Sequence, residues 1–277
     1  KHTKLPFIFN IQKFNIILNS LFSPYELIIN LEIGSKFNDI VKFTRSKNKI
    51  GMPYEYIKDD IFKEHRVEHQ LRILDKLFHK YNKDNARPSI VGIGISHIIK
   101  KFPIENDYIV MCPTNSHVGN QNHRGYRSWP DNNWKDLISR VLSETSLNIF
   151  LVGDKNEKKY FNNFYPLQKR LYDLSGETTI PELITIMENS KCVVATDSGS
   201  AHIAGAVAKN IISIHGPTNF YQSAPYSTKY NNVKVATLNL KCSPCYDTEV
   251  IKNCKNNICM QDLNAETVMG LMAELSL

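Results

Sequence analysis

Residues 192–218 read Cys-Val-Val-Ala-Thr-Asp-Ser-Gly-Ser-Ala-His-Ile-Ala-Gly-Ala-Val-Ala-Lys-Asn-Ile-Ile-Ser-Ile-His-Gly-Pro-Thr, and this stretch decides the fold. A short apolar run with β-branched residues precedes a polar turn and then small, helix-forming residues, which predicts strand, turn and helix. A second apolar run at 211–214 predicts the next strand, which ends in a loop at 215–218. Strands joined by a helix run parallel, so both loops are expected on one rim of the sheet, where open α/β folds bind ligands.

The first of these loops suits a phosphate group. It lies between the carboxyl end of a strand and the amino end of a helix, where unpaired backbone N–H groups and the helix dipole favour an anion. Ser198 and Ser200 add hydroxyl donors, Gly199 allows a close approach of the backbone, and His202 lies in the first helical turn. The alternative interpretation is a helix N-cap followed by an ordinary turn, without a ligand.

An ordered set of motifs in this part of the chain resembles a known enzyme family. Asp197-Ser-Gly-Ser-Ala-His202, Gly216-Pro-Thr218, Cys242-Ser-Pro-Cys245 and Cys259-Met260 follow one another as in the bacterial ADP-heptose heptosyltransferases, which are inverting glycosyltransferases. One Asp-Ser-Gly alone is not diagnostic, but the ordered set over roughly 70 residues is specific. Weaker similarity extends upstream to about Tyr25.

The rest of the chain alternates strand and helix patterns, which predicts an α/β fold with parallel sheets. Further strands are predicted at 26–31, 49–51, 108–112 and 148–152. Further helices are predicted at 34–43, 65–81, 134–147 and 180–189. A region punctuated by Pro, Gly and Ser leads to an interdomain crossing placed at 102–106. We therefore predict two domains, residues 1–103 and 104–277.

The resemblance implies two Rossmann-like domains that face a cleft, which is the architecture of GT-B glycosyltransferases. By the same resemblance, the first domain lies on the acceptor side and the second binds the nucleotide sugar. Family members open with a strand whose following loop carries the Asp proposed as general base. Nothing in residues 1–24 resembles that unit. The N-terminal domain is therefore expected to be truncated, and the catalytic base stays unassigned.

The resemblance also implies roles for individual polar residues. Arg127 takes the place of a Lys or Arg before Trp-Pro, where a guanidinium can pair with phosphate; an ordinary Arg beside a structural Trp is the alternative. Asp197 matches a position near the diphosphate or donor sugar, and we expect it to hold donor hydroxyls or brace the loop because carboxylates repel phosphates. Gly153-Asp154 with Glu157 follows a strand end on the same rim and resembles the family's nucleotide loop; either acid could hold a ribose hydroxyl, and Glu157 is the candidate. His202 is expected to donate to a phosphate, with a capped first-turn histidine as the alternative.

Six cysteines divide into two in predicted strands, Cys112 and Cys192, and a group of four. Four thiols in one loop fit a structural zinc or iron site, and neighbouring lysines are expected to favour the thiolates. The four are Cys242, Cys245, Cys254 and Cys259. Buried free thiols and two disulfides are the alternatives. By resemblance, some relatives that modify autotransporter proteins carry iron at a similar cluster, many others have no assigned metal, and transfer itself requires no cofactor.

Composition restricts the class of partner. The hydrophobic fraction of 42% and charged fraction of 22% exclude a disordered chain. A net charge of +7 suits anionic partners such as a phosphorylated glycolipid, with a solvated basic surface as the alternative. Nucleic acid is disfavoured because basic and aromatic residues are not interleaved. No apolar run is long enough to span a membrane, and residues 7–22 lack the form of a signal peptide.

The resemblance implies an enzyme that moves heptose from ADP-heptose onto a sugar of the lipopolysaccharide inner core, with inversion and in a single displacement. A protein hydroxyl is the second class of acceptor. A nucleotide-sugar binding protein without transferase activity is the alternative raised by the missing base loop, and a metal-dependent scaffold is a third. We expect a cytoplasmic protein that can contact the inner face of the inner membrane. Acceptor and oligomeric state stay open.

Overall fold

The structure, a computed structural model, describes residues 11–32, 34–54, 63–78, 86, 88–102, 104, 106–115, 125–158, 161, 169–246 and 248–277. The chain divides into two compact units, Lys1–Lys83 and Asp84–Leu277. Within the described ranges, every helix is too short or too polar to cross a lipid bilayer.

The first unit contains a two-stranded parallel sheet with helices. Its elements are α1 (Ile11–Phe22), β1 (Tyr25–Asn30), α2 (Asn38–Phe43), β2 (Ser46–Gly51) and α3 (Arg66–Leu74). Leu27 of β1 lies opposite Asn48 of β2. The predicted strands at 26–31 and 49–51 are confirmed. The helices predicted at 34–43 and 65–81 are shorter than expected, and residues 79–81 lie outside the described part.

The second unit is built on a parallel sheet with strand order β5-β4-β3-β6-β7-β8. Its strands are β3 (Tyr108–Cys112), β4 (Asn148–Leu151), β5 (Leu171–Asp173), β6 (Cys192–Thr196), β7 (Asn210–Ile214) and β8 (Asn232–Ala236). Its helices are α4 (Ile95–Lys101), α5 (Asp131–Glu144), α6 (Ile180–Glu188), α7 (Gly199–Val207), α8 (Phe220–Ser223), α9 (Glu249–Lys252), α10 (Ile258–Gln261) and α11 (Ala265–Glu274). The α/β class, the parallel sheets and the strand-turn-helix of 192–218 are confirmed.

Helices cover both faces of this sheet, which explains why its central strands are continuous apolar runs. On one face, Trp134 of α5 and Val268 of α11 are fully buried against the strands. On the other face, Ile98 of α4, Ile186 of α6 and Ala204 of α7 are fully buried. The packed sheet fixes the positions of the loops at its carboxyl rim.

The segment before β3 packs with the second unit. Thr185 of α6 accepts a hydrogen bond from the backbone N–H of Ile93 at 2.8 Å and donates to its carbonyl at 2.7 Å. Lys101 of α4 pairs with the buried carboxylate of Glu182 at 2.8 Å. The division between the compact units therefore precedes the crossing that the punctuation pattern predicted at 102–106, of which residues 103 and 105 lie outside the described part.

Candidate functional site

The loops that follow β3, β4, β6 and β7 lie on one rim of the sheet because the strands are parallel. The backbone N–H of Asp197, just after β6, donates to the carbonyl of Ile214 at the end of β7 at 3.1 Å. This contact extends the pairing of the two strands to the point where their loops diverge. The two polar loops of the central stretch therefore start side by side, as the sequence predicted.

The amino end of α7 is not closed by its own cap residue. Ser198 occupies the N-cap position with extended backbone, and its side chain makes no capping hydrogen bond. Its Oγ is buried and has no hydrogen-bond partner in the described part of the chain. Ser200, by contrast, hydrogen bonds with the buried thiol of Cys112. Ser198 therefore occupies the N-cap position without closing the helix end, and its hydroxyl and the first N–H groups of α7 can donate to an acceptor.

Gly199 and His202 complete this end of the helix. A Cβ added to Gly199 would meet no atom of the described residues within 4 Å, so the backbone faces open space. His202 is exposed and lies in the first turn of α7, as the sequence indicated. Both residues can therefore be reached by a molecule bound at the rim.

Arg127 lies beside the same turn. Its Nη1 is 3.6 Å from Oδ2 of Asp197, which is buried, whereas the Arg127 side chain is 20% exposed. Its guanidinium also lies over the ring of Tyr246, 5.4 Å from the centroid. Trp129 anchors the loop, since its indole N–H donates to the carbonyl of Leu263 at 2.6 Å. The structure thus places Arg127 near the buried Trp129 and pairs it with Asp197, and its role towards phosphate stays a prediction.

His215 is a buried residue of this rim to which the sequence gave no role. Its Nε2 is 2.9 Å from the hydroxyl of Ser213, and its Nδ1 is 3.1 Å from that of Thr218. Burial lowers the pKa of His215 to about 4; the charge of Asp197 opposes this, and those of His202 and Arg127 add to it. The imidazole is therefore neutral at physiological pH, and the three predicted site residues lie close enough to act on it electrostatically.

A cavity of about 440 Å³ opens at the rim, within the usual size range of small-molecule sites. Among the predicted site residues, Glu157, Ser198, Gly199 and Ser200 line it. Arg127, Asp197 and His202 do not line it, although Asp197 is the chain neighbour of Ser198. The other lining residues are Thr114, Asn115, Val152, Gly153, Asp154, Thr178, Thr179, Ile180, Leu183 and Ile203.

Sequence reasoning missed two groups of these lining residues for different reasons. Thr114 and Asn115 directly follow β3, so the rule that placed the other loops on the rim also applies to them. Residues 178–183 belong to the start of α6, where Thr179 and Glu182 form a capping box. The sequence of this segment does not indicate a binding site, because helix capping already accounts for its polar side chains.

Glu157 is a half-buried carboxyl on the cavity wall. Its Oε2 accepts a hydrogen bond from the backbone N–H of Asp154 at 2.6 Å, and it also hydrogen bonds with Thr114. Burial raises its pKa, the hydrogen bonds with Thr114 and Asp154 oppose the shift, and the charge of Asp154 adds to it. Glu157 is thus a fixed acceptor that can receive a ligand hydroxyl.

The four cysteines gather next to the loop that follows β7. The backbone N–H of Cys245 donates to the carbonyl of Pro217 at 2.8 Å. The backbone N–H of Asn257 approaches the sulfur of Cys254 at 3.4 Å, and the Cys259 thiol donates to the Asn257 side chain at 3.3 Å. None of the four is in a disulfide.

Burial dominates the titration of the buried thiols in this group. It raises the pKa of Cys259 to about 11, and the charges of the three other thiols add to the shift. It also raises the pKa of Cys245. Lysine charges are not among the causes of these two shifts. In the part of the chain that is described, no three His, Cys, Asp or Glu side chains are arranged to hold a metal ion. The four thiols are neighbours, but their present side-chain placement does not form a metal site.

Comparison with known proteins identifies relatives of this chain. Lipooligosaccharide heptosyltransferase 2 of Campylobacter jejuni is 32% identical over 134 residues, which cover 46% of this chain and 40% of the relative. The structure of Escherichia coli heptosyltransferase WaaC with ADP matches with a TM-score of 0.56 and 16% identity, covering 95% of this chain and 77% of that one. The iron-containing dodecameric glycosyltransferase TibC of enterotoxigenic E. coli matches with a TM-score of 0.52 and 13% identity, covering 84% and 59%.

These matches agree on the fold and differ in extent. The structural likenesses show a common α/β architecture with parallel sheets, as expected. In the sequence comparison, the chain spans less than half the length of the curated relative. The profile of Glycosyltransferase family 9 (heptosyltransferase) matches residues 25–255, from the first strand into the cysteine segment. Because this match extends over most of the chain, the protein belongs to glycosyltransferase family 9, the heptosyltransferases.

Proposed function

We propose that this chain binds ADP-heptose and acts in the transfer of heptose to a sugar of the lipopolysaccharide core. The observation that carries the proposal is the amino end of α7, where the buried Ser198 hydroxyl has no partner in the described part of the chain and Arg127 lies nearby. A diphosphate bound there would accept hydrogen bonds from this hydroxyl and from the first N–H groups of the helix, at the positive end of its dipole.

Arg127 and Asp197 have complementary roles in this proposal. The guanidinium can turn part of its N–H edge to a phosphate while Asp197 holds it from the other side. The carboxylate repels phosphate, so Asp197 braces Arg127 or accepts hydroxyls of the donor sugar. His202, exposed on the first turn, is a further donor to phosphate.

The nucleoside is proposed to occupy the cavity on the other side of Ser198. Glu157 lies on its wall and can accept a ribose hydroxyl, while Leu183 and Ile203 provide apolar contacts for a flat base. This arrangement matches small-molecule sites in general, which are mainly apolar with a few fixed polar groups. WaaC, which shares the fold, was solved with ADP, and this supports ADP as the nucleotide to test.

The chemistry requires stabilisation of a leaving group. An acceptor hydroxyl would form a bond to the anomeric carbon from the face opposite the diphosphate, as the bond to the diphosphate oxygen breaks, which inverts the centre. Negative charge grows on the departing ADP, and Arg127, Ser198 and the helix N–H groups are fixed in advance to receive it. The acceptor proton passes to a general base that we do not assign to a described residue.

The relatives and the net charge support the proposed acceptor and location. The curated relatives act on lipooligosaccharide or lipopolysaccharide, which supports a core sugar as acceptor. A net charge of +7 favours contact with such an anionic glycolipid at the inner face of the inner membrane. We therefore propose that the transfer takes place on the cytoplasmic side.

We also propose that the cysteine cluster can bind a structural metal ion after rotation of its side chains. Its four thiols are the donor set that zinc and iron prefer, and TibC is an iron-containing relative in fold. Elemental analysis of the purified protein tests this. With metal bound, Cys242→Ser lowers the free energy of unfolding and the metal content together. Without metal, the exposed Cys242 tolerates the change within about 0.5 kcal/mol.

The test of the donor site is calorimetric titration with ADP and, for comparison, UDP, followed by turnover of ADP-heptose with a lipopolysaccharide core acceptor. Both measurements are made on this chain and on the chain with its native flanking sequence restored. Selective binding of ADP with turnover supports the proposal. Binding of ADP without turnover in both forms favours a nucleotide-sugar binding protein, and failure to bind ADP in either form overturns the donor site.

A further inference from the structure

We infer that Tyr246 is a positioning residue for Arg127, which it holds in place for the donor diphosphate through its aromatic ring. The inference rests on the proposed function of Arg127. It starts from one contact, in which the guanidinium of Arg127 lies over the Tyr246 ring at 5.4 Å from the centroid. Neither the family motifs nor the pattern around the cysteines pointed to this tyrosine.

The contact leaves the hydrogen-bonding edge of the arginine available for other groups. A guanidinium is planar, it stacks on an aromatic ring by its face, and its N–H groups point outward in the plane. Tyr246 therefore supports the guanidinium through its ring, while Oδ2 of Asp197 lies 3.6 Å from Nη1 of Arg127. A guanidinium carries five N–H donors, so Arg127 can donate to a phosphate in addition to its pairing with Asp197.

The backbone that carries Tyr246 is in turn held by the rim loop that follows β7. The backbone N–H of Tyr246 donates to the carbonyl of Pro217 at 2.9 Å, and that of Cys245 donates to the same carbonyl at 2.8 Å. The hydroxyl of Ser243 donates to the carbonyl of Gly216 at 2.5 Å. Three hydrogen bonds thus attach residues 243–246 to the loop beside the end of α7.

The consequence for binding is entropic as well as electrostatic. Arginine has many side-chain rotamers, and fixing one of them costs free energy when a ligand binds. A guanidinium already held between the Tyr246 ring and Asp197 loses fewer conformations when a diphosphate arrives. Loss of the ring should therefore weaken donor binding even though Tyr246 itself contacts no phosphate.

The experiment compares ring-retaining and ring-deleting variants by calorimetric titration with ADP and by the KM for ADP-heptose. Tyr246→Phe keeps the ring and is expected to change the dissociation constant for ADP less than about twofold. Tyr246→Leu and Tyr246→Met delete the ring and should raise it about 3- to 30-fold, with KM rising in parallel. Thermal unfolding is recorded for each variant, and two deletions are used in case one fails to fold.

A double-variant cycle separates positioning from general support of the fold. In an Arg127→Met background, Tyr246→Leu should have no further effect on ADP binding, because the ring acts through the arginine. Tyr230→Leu is the matched control. Lys229 lies over the Tyr230 ring at 5.2 Å, but this pair precedes β8 at the opposite end of the sheet. It should leave the dissociation constant for ADP unchanged.

The outcomes distinguish this inference from the proposed function. If the unaltered protein does not bind ADP, the proposed donor site fails. If it binds ADP and Tyr246→Leu weakens binding as much in the Arg127→Met background as alone, the positioning role is overturned. Equal effects of Tyr246→Phe and the ring deletions would also overturn it, since the ring would then not be the relevant group.

Discussion

Replacement of Arg127 by methionine should lower both the free energy of unfolding and the affinity for ADP, and a second substitution should separate the two effects. At 3.6 Å, the attraction between Arg127 and Asp197 is about 5 kcal/mol at an effective dielectric constant of about 20. Arg127 remains partly exposed, so screening and desolvation reduce the net contribution to about 1–2 kcal/mol. The variant leaves a buried carboxylate unpaired, and we expect a loss of about 1–3 kcal/mol in the free energy of unfolding.

The same variant should weaken ADP binding about 10- to 100-fold. This estimate corresponds to charge-assisted hydrogen bonds worth roughly 1.5–3 kcal/mol. Adding Asp197→Asn removes the unpaired charge, so the double variant should regain stability in denaturant unfolding without regaining affinity in calorimetry. Arg140→Met is the control, because Arg140 of α5 forms exposed ion pairs with Asp136 and Glu144, away from the rim. Unchanged ADP affinity in folded Arg127→Met would refute the phosphate role.

Three further variants test other parts of the second unit. Ser198→Ala should change the free energy of unfolding of the unliganded protein by less than about 0.5 kcal/mol, since the hydroxyl has no partner among the described residues. Calorimetry should show about 2- to 10-fold weaker binding of ADP to this variant. Burial raises the pKa of Glu157, so its ionised form destabilises the folded state. In denaturant unfolding at pH 8, Glu157→Gln should therefore be more stable than the unaltered protein, and this difference in the free energy of unfolding should vanish below pH about 4. At Glu182 the pKa shift has the opposite sign, because its hydrogen bond with Lys101 lowers the pKa to about 2. Glu182→Gln should therefore lower the free energy of unfolding by roughly 1–3 kcal/mol at pH 7, and this loss should shrink as the pH falls towards 2. If Asp197→Asn or Glu157→Gln lowered the free energy of unfolding and the affinity for ADP to the same extent, that residue would have a structural role.

The sequence predicted the central sheet because its buried strands are apolar runs closed by polar turns. Strands β3 and β6 are buried at every position and were located to within a residue. Strands β5 and β8 were missed. They form the two edges of the sheet, where burial is partial and the residues are more polar, so the signal that identifies a central strand is weak there.

The site was predictable only where it is continuous in sequence. The turn from Asp197 to His202 is one segment, and strand-end geometry alone places it on the rim. Arg127 was identified by resemblance, since nothing local separates it from a surface arginine. Tyr246 could not be found, because its contact with Arg127 joins segments far apart in the chain and depends on how the cysteine loop packs. Such contacts are set by tertiary packing, which a local pattern does not encode.

Gly216 and Gly199, in the rim loops after β7 and β6, are needed for different physical reasons. A Cβ on Gly216 would lie 2.5 Å from the sulfur of Met260 and 3.0 Å from that of Cys259, so the space of its missing side chain is filled by the cysteine segment. This contact explains why Gly216-Pro-Thr and Cys-Met belong to one ordered set of motifs: each piece shapes the surface on which the other packs. At Gly199 nothing among the described residues fills the corresponding space. That space opens at the cavity and at the uncapped end of α7. Packing within the described part of the chain therefore does not require a glycine here, whereas a ligand that approaches the backbone does.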